Sequence, residues 1–155
     1  MGAGVARATP LFVQSRKKVR AGEKRAGGGG TLRGMIDHLT LTVKSLAKSR
    51  AFYVKALAPL GYGITMKFDQ MVGFGDKVKP YFFLKQGKKP QAPMHLAFAA
   101  KRRADVDAFH AAALRAGAKN DGSPGLRAEY HPNYYGAFVI DPDGHPIEAV
   151  CHGKR

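Results

Sequence analysis

Two stretches of this chain repeat each other, and each opens on a histidine. From His38 the sequence runs HLTLTVKSLAKSRAFYVKALAPLG, and from His95 it runs HLAFAAKRRADVDAFHAAALRAG. At an offset of 57 residues they agree at His38/His95, Leu39/Leu96, Lys44/Lys101, Ala47/Ala104, Ala51/Ala108, Phe52/Phe109, Ala56/Ala113 and Leu57/Leu114. Each copy reads as a short alternating strand followed by an amphipathic helix that stops at Gly61 or Gly117. One supersecondary unit repeated within 155 residues predicts one fold built twice about a pseudo-twofold axis. The two histidines then hold equivalent places. If their imidazoles converge to within about 6 Å, they start a metal site, since metal–nitrogen bonds are near 2 Å.

The remaining pattern completes each half. Met35–Val43 alternates as a half-buried strand, and Ser45 is the expected N-cap of the first helix. Strands are expected near 63–68, 70–75 and 80–85, and residues 86–93, polar and proline-bearing, link the halves. The second half predicts a strand over 94–99, a helix over 104–116, and strands near 118–120, 135–140 and 146–151. Asp141-Pro142-Asp143-Gly144 is the last hairpin turn. The predicted fold class is α+β: two βαβββ modules, about 35–86 and 94–152, forming a curved mixed-sheet cup with helices outside. Parity puts Leu39, Leu41, Leu96 and Phe98 under the helices, and His38, Thr40, His95 and Ala97 on the concave side. Glu148 and Val150 share one parity of the last strand, so the carboxylate points into a groove or to an edge rather than into the core.

Charge divides unevenly. The net +15 includes a stretch, residues 1–34, with eight Lys/Arg against Glu23 alone and the run Gly27–Gly30. That composition buries too little apolar surface to offset its ordering entropy, so residues 1–34 are expected to be a disordered basic extension, with the folded domain over 35–155. Basic residues without interleaved aromatics are a weak nucleic-acid signal, and no nucleic-acid partner is expected. No window nears eighteen consecutive apolar residues, so no membrane span is expected. A single cysteine, Cys151, excludes an internal disulfide and a Cys-rich zinc site, and suits a reducing, cytoplasmic setting. Any metal must therefore use His and carboxylate ligands.

Three motifs, in order, carry a resemblance: Met35-Ile-Asp-His38 followed by the Phe52-Tyr53 helix, Met94-His95-Leu-Ala-Phe98, and Asp141-Pro-Asp-Gly144-His-Pro-Ile-Glu148. From Met35 to about His152 the chain resembles the vicinal oxygen chelate superfamily, which contains glyoxalase I, extradiol dioxygenases and the fosfomycin and bleomycin resistance proteins. The resemblance implies paired modules around a divalent metal, with His38, His95 and Glu148 matching metal-ligand positions. The fourth family position falls on Phe82, Phe83 or Leu84, none of which is a ligand. Two histidines and one carboxylate are the set that leaves open positions on non-haem Fe(II), so Fe(II) is favoured, with zinc, nickel and manganese as the other candidates. The implied function is a metal-dependent enzyme of dioxygenase type acting on a small oxygen-chelating substrate. A glyoxalase I-like lyase and a metal-free, resistance-type binding protein, the latter dimeric, are the alternatives, and a homodimer is the possible assembly.

Among the remaining polar residues, His131, Tyr134 and Tyr135 are the candidate catalytic groups, because they fall on the Asn120–Gly136 stretch expected to cover the cup. The competing reading is aromatic filler in a packed loop. His110 is expected on the outer helix face, His145 in a turn, and Cys151 as a small core residue. His152 shares the parity of Glu148, but it lies four residues further along the strand and is not counted as a ligand.

Overall fold

The computed structural model describes residues 36–89 and 91–153. The predicted extension, residues 1–34, lies outside them. Alternation at Leu39–Val43 makes β1, with Leu41 and Val43 fully buried and Thr40 exposed. Ser45 then caps α1 (Leu46–Leu57), its hydroxyl accepting from the Lys48 N–H at 3.4 Å. A single 3-10 turn carrying Pro59 ends at Gly61, whose φ of 84° only glycine adopts without strain, and the chain turns back into the sheet. Three strands follow: β2 (Gly63–Lys67), β3 (Met71–Gly75) and β4 (Pro80–Gln86). The second module repeats this as β5 (Leu96–Ala99), α2 (Arg103–Arg115), β6 (Lys119–Leu126), β7 (Tyr135–Ile140) and β8 (Pro146–Cys151).

Topology confirms the duplication. One sheet has the order β1-β4-β3-β2 and the other β5-β8-β7-β6. In each, the first strand runs parallel to the last and the other pairs are antiparallel, so the chain is α+β with two βαβββ modules. The helix-side residues of both sheets merge into one core that includes Leu41, Phe52, Leu84, Phe109, Val139 and Ala149. Tyr53 stands in it fully buried, at 4.9 Å from the rings of both Phe52 and Phe82, and Phe82 meets Phe98 of the other module at 5.4 Å. Such aromatic pairs add about 0.5–1.5 kcal/mol each beyond the area they bury.

Polar ties also cross between modules. The Tyr53 hydroxyl donates to Asp141 Oδ2 at 2.7 Å and the Ser49 hydroxyl to Asp143 Oδ2 at 2.7 Å. Asp141 accepts two further backbone N–H bonds, from Asp143 and His145. Burial, and then the Asp141 charge, push the Tyr53 phenol well above its ordinary pKa, so it remains a donor. His145, expected simply in a turn, is fully buried and accepts the Met94 N–H at Nδ1 at 3.1 Å, which fixes the start of the second module.

Two sequence expectations need correction. The strand expected near 118–120 runs on to Leu126. Gly122, Pro124 and Gly125 look like turn residues, yet Gly122 and Gly125 pair with Phe138 and Gly136 of β7, and Pro124 falls in the second of two register shifts. His110 is not on the outer helix face. It is buried, and its Nε2 lies 2.7 Å from Asn120 Oδ1 at the start of β6. Cys151 is buried as expected. Among the described residues no helix is long and apolar enough to cross a membrane.

Candidate functional site

β5 and β8 run side by side in register, with Ala97 opposite Glu148, and β7 places Phe138 opposite Glu148 on its other flank. This puts Glu148 in the middle of the second sheet, on the face away from α2. Its side chain is nearly inaccessible, so a carboxyl there needs partners. It has two. Tyr134 donates its hydroxyl to Oε1 at 2.5 Å, and His95 Nε2 lies 3.0 Å from Oε2. His95, one residue ahead of β5, keeps about half of its side chain in solvent and rests at 6.3 Å from the Phe138 ring. Desolvation, then the Glu148 hydrogen bond, raise the Tyr134 phenol to about 12, so it stays protonated at neutral pH.

The loop 127–134 frames one end of this constellation. It is pinned where the Arg127 N–H donates to the Tyr134 carbonyl at 2.7 Å and the Tyr134 N–H donates to the His131 carbonyl at 2.9 Å. The His152 ring sits 5.1 Å from Tyr134 and 5.9 Å from His131. His131 accepts the Asn133 N–H at Nδ1 and is exposed beside the site rather than in it. Gly136 permits the arrangement: a Cβ there would meet Glu148 Oε1 at 3.0 Å and the Tyr134 ring at 3.2 Å.

Of the six residues singled out from sequence, the fold therefore gathers three, His95, Glu148 and Tyr134, with His131 at the rim. Tyr135 goes elsewhere. The next residue along β7 faces the helix, and its hydroxyl donates to Asp107 Oδ1 of α2 at 2.8 Å while Arg103 stacks on its ring. His38 belongs to the first sheet, exposed and edge-on to Phe83 at 5.6 Å. It does not join the others: among the described residues no group of three or more His, Cys, Asp or Glu side chains gathers to hold a metal ion. Three contributors escaped the sequence reading. His152 had a parity signal that the along-strand distance overrode; Phe138 looked like an ordinary strand residue; Arg127 sits in a stretch without periodicity.

An apolar pocket of about 120 Å³ lies between the modules, lined by Leu57, Tyr62, Phe74, Phe82 and Phe98 among others. None of the candidate residues reaches it, and its walls carry no acid or imidazole. The candidate residues His95, Tyr134 and Glu148 lie instead on the open face of the second sheet.

Comparison with known proteins agrees with this architecture. The model of the Glyoxalase/Bleomycin resistance protein/Dioxygenase superfamily matches residues 35–149. The fold is similar to a crystal structure of a glyoxalase/bleomycin resistance protein from Albidiferax ferrireducens T118, with 28% identity and a TM-score of 0.66, covering 76% of this chain and 98% of that one. It is also similar to a glyoxalase/bleomycin resistance protein/dioxygenase family enzyme from Burkholderia phytofirmans PsJN, with 15% identity, a TM-score of 0.59, and coverage of 76% and 98%. A glyoxalase-related enzyme from Fulvimarina pelagi aligns at 16% identity and a TM-score of 0.58, covering 75% of this chain and 86% of that one. No curated protein matches the chain significantly.

Proposed function

We propose that this chain, which belongs to the Glyoxalase/Bleomycin resistance protein/Dioxygenase superfamily, binds a small oxygen-rich molecule on the Glu148 face and acts on it as a homodimer. A second copy completes each site by bringing its His38 to the His95–Glu148 pair. The observation that carries this reading is the split of the predicted ligand set. Two equivalent histidines occupy the two modules, yet among the described residues of one chain only His95 and Glu148 of the predicted set come together.

Taken one chain at a time, the described residues do not fit the divalent metal that the family implies. His95 and Glu148 alone would suit it: Nε2 and Oε2 are 3.0 Å apart, the spacing of two neighbouring ligands of one ion with bonds of about 2.0–2.2 Å. A third protein ligand is missing. Both faces that bear the histidines are open, with Thr40 and Ala97 exposed beside them. The first sheet also turns the half-buried Phe83, Met66 and Met71 outward, apolar surface that a second copy would cover. Without the ion, the site's own groups still sort a ligand's oxygens. Glu148 accepts, Tyr134 donates, and His95 presents one ring edge to solvent. In this proposal the two-His–one-carboxylate set, with Fe(II) favoured, supports dioxygenase-type chemistry over the lyase route, because Phe83 stands where a fourth ligand would be.

A second reading has its own observation. Both Glu148 oxygens are already hydrogen-bonded, as a binding protein without metal would have them. One experiment separates the two. Metal content and oligomeric state are measured on wild type, on His38→Ala, on Glu148→Ala, and on a mixture of the two variants. The dimer reading expects metal in the wild-type dimer, little in either variant, and recovery of about a quarter of the wild-type content on mixing, because about half of the dimers are then mixed and each of these has one of its two sites intact. Loss without recovery would place His38 in the same chain's site. No metal in wild type, with unchanged small-molecule binding by both variants, would leave the metal-free binding protein.

A further inference from the structure

The Glu148 face carries a cation that the reading above does not use. Arg127 follows β6 directly, and its guanidinium lies over the Phe138 ring at 5.6 Å, the same ring against which His95 rests. One of its terminal nitrogens donates to the Ser123 carbonyl at 2.9 Å. No carboxylate pairs with it among the described residues, and the side chain is half-buried. A guanidinium has five N–H donors in a planar fork, so one fixed bond orients it and leaves the rest for a ligand.

Three glycines make room for this layout. A Cβ at Gly122 would meet Phe138 at 2.9 Å, and one at Gly125 would meet the Arg127 guanidinium at 2.8 Å. With Gly136 under Glu148 and Tyr134, the strands give up side chains where the aromatic ring, the cation and the carboxyl lie flat on the sheet. Glycine weakens a strand, so its use at Gly122 and Gly136, beside the Phe138 ring, the Glu148 carboxyl and the Tyr134 ring, fits a surface shaped for close approach, whereas at Gly125 the flexible end of Arg127 could move aside.

We propose that Arg127 is the anchor for a carboxylate on the ligand, so that the compounds taken at this face are small organic acids. The proposal rests on the reading that the Glu148 face is the ligand site, and it sets the ligand's direction. Glu148 repels an acid's charged end, while Arg127, across Phe138, attracts it. The acid group therefore lies on Arg127, and the neutral hydroxyl or carbonyl oxygens lie toward Tyr134, Glu148 and His95.

The test uses benzoate and benzamide, which share shape and differ in charge, titrated into the full chain and followed by NMR at the Arg127 side chain and the Phe138 ring. Benzoate is expected to shift both and to bind at least about tenfold more tightly than benzamide, the order of one charge-assisted hydrogen-bonded pair. Arg127→Gln should bring benzoate down to the benzamide level with an unchanged melting temperature, and Arg127→Lys should keep part of the preference. Equal binding of the two probes, a preference that survives Arg127→Gln, or benzoate shifts confined to other basic residues would overturn the proposal. Should Arg127→Gln fail to fold, the wild-type comparison and Arg127→Lys still decide it. Glu148→Gln separates this idea from its parent: it removes the group the metal reading needs, yet the benzoate signal at Arg127 should persist or tighten. A persistent signal alongside failed metal and mixing experiments sinks the parent reading alone; a lost charge preference alongside successful ones sinks Arg127 alone.

Discussion

The two modules share a frame and differ in what they place on it. In the first, Thr40 pairs with Phe83 across the parallel strands; at the same point of the second, Ala97 pairs with Glu148. His38 therefore meets a phenylalanine ring and His95 meets a carboxyl. The connecting hairpins differ too. Residues 68–70 join β2 to β3, whereas residues 127–134 join the longer β6 to β7, and that longer loop supplies Arg127, His131 and Tyr134. Helix-side positions stay apolar in both halves, because a shared core tolerates little else. Duplication thus leaves the buried faces alike and lets the open faces diverge: among the described residues the second module gathers His95, Glu148 and Tyr134, and the first sets His38 against Phe83.

The sharpest way to break that asymmetry is to exchange the paired residues. Glu148→Ala should lower metal or ligand affinity by about 100-fold or more, since it removes the central acceptor and leaves Tyr134 and His95 unpaired. Phe83→Ala should change binding much less. Phe83→Glu should give the first module a carboxyl beside His38 and raise metal binding, at the expense of a position that substrate would use. Metal titration of the three variants checks the ranking. Equal losses from Glu148→Ala and Phe83→Ala would mean that the two faces contribute alike.

Much of this was legible in the sequence, and the failures have physical causes. The repeat fixed the module order, and alternation at β1, β5 and β8 marked which side chains meet the helices. Glu148 stood out because a carboxyl amid Ile147, Ala149 and Val150 demands partners. The β6 strand was misread because Gly122, Pro124 and Gly125 carry turn chemistry, and only pairing with β7 through bulges makes them a strand. His110 was misplaced because its partner, Asn120, lies ten residues on, and only the turn of the chain from α2 into β6 brings the two together. Tyr134 and Tyr135 are neighbours with the same composition signal, and only the parity of β7 sends one to Glu148 and the other to Asp107. The proposed meeting of His38 with the His95–Glu148 pair would depend on a second chain, which no local pattern encodes.

A smaller contrast lies on the helices, where Tyr53 and His110 occupy equivalent repeat positions. Tyr53 ties the first module to the Asp141 turn of the second, whereas His110 bonds only within its own module. Tyr53→Phe should cost about 1.5–3 kcal/mol, the range for a hydrogen bond to a charged group, here fully buried. Asn120→Ala, which removes the acceptor for His110, should cost about 1 kcal/mol. Urea unfolding with a constant m-value measures both. If Asn120→Ala proves the costlier, the tie between modules is not the stronger contact.

The least perturbing comparison concerns the two buried-hydroxyl tyrosines. Tyr134, partly open to solvent, is raised to about 12 by desolvation and by Glu148. A phenol whose folded pKa lies above its unfolded value of about 10 holds its proton more tightly in the native state. The stability it contributes is fully present below about pH 10 and is lost as pH climbs from there through about 12. Tyr134→Phe should therefore lower stability at neutral pH by about 1 kcal/mol, flatten the alkaline decline over that window, and remove one late-titrating phenolate from the ultraviolet absorbance curve. Tyr53 is also raised, but it is sealed in the core, so its phenolate should appear only on unfolding. If Tyr134→Phe leaves the alkaline limb of both curves as in wild type, the short bond to Glu148 is not populated in solution, and the second module's site is looser than its geometry shows.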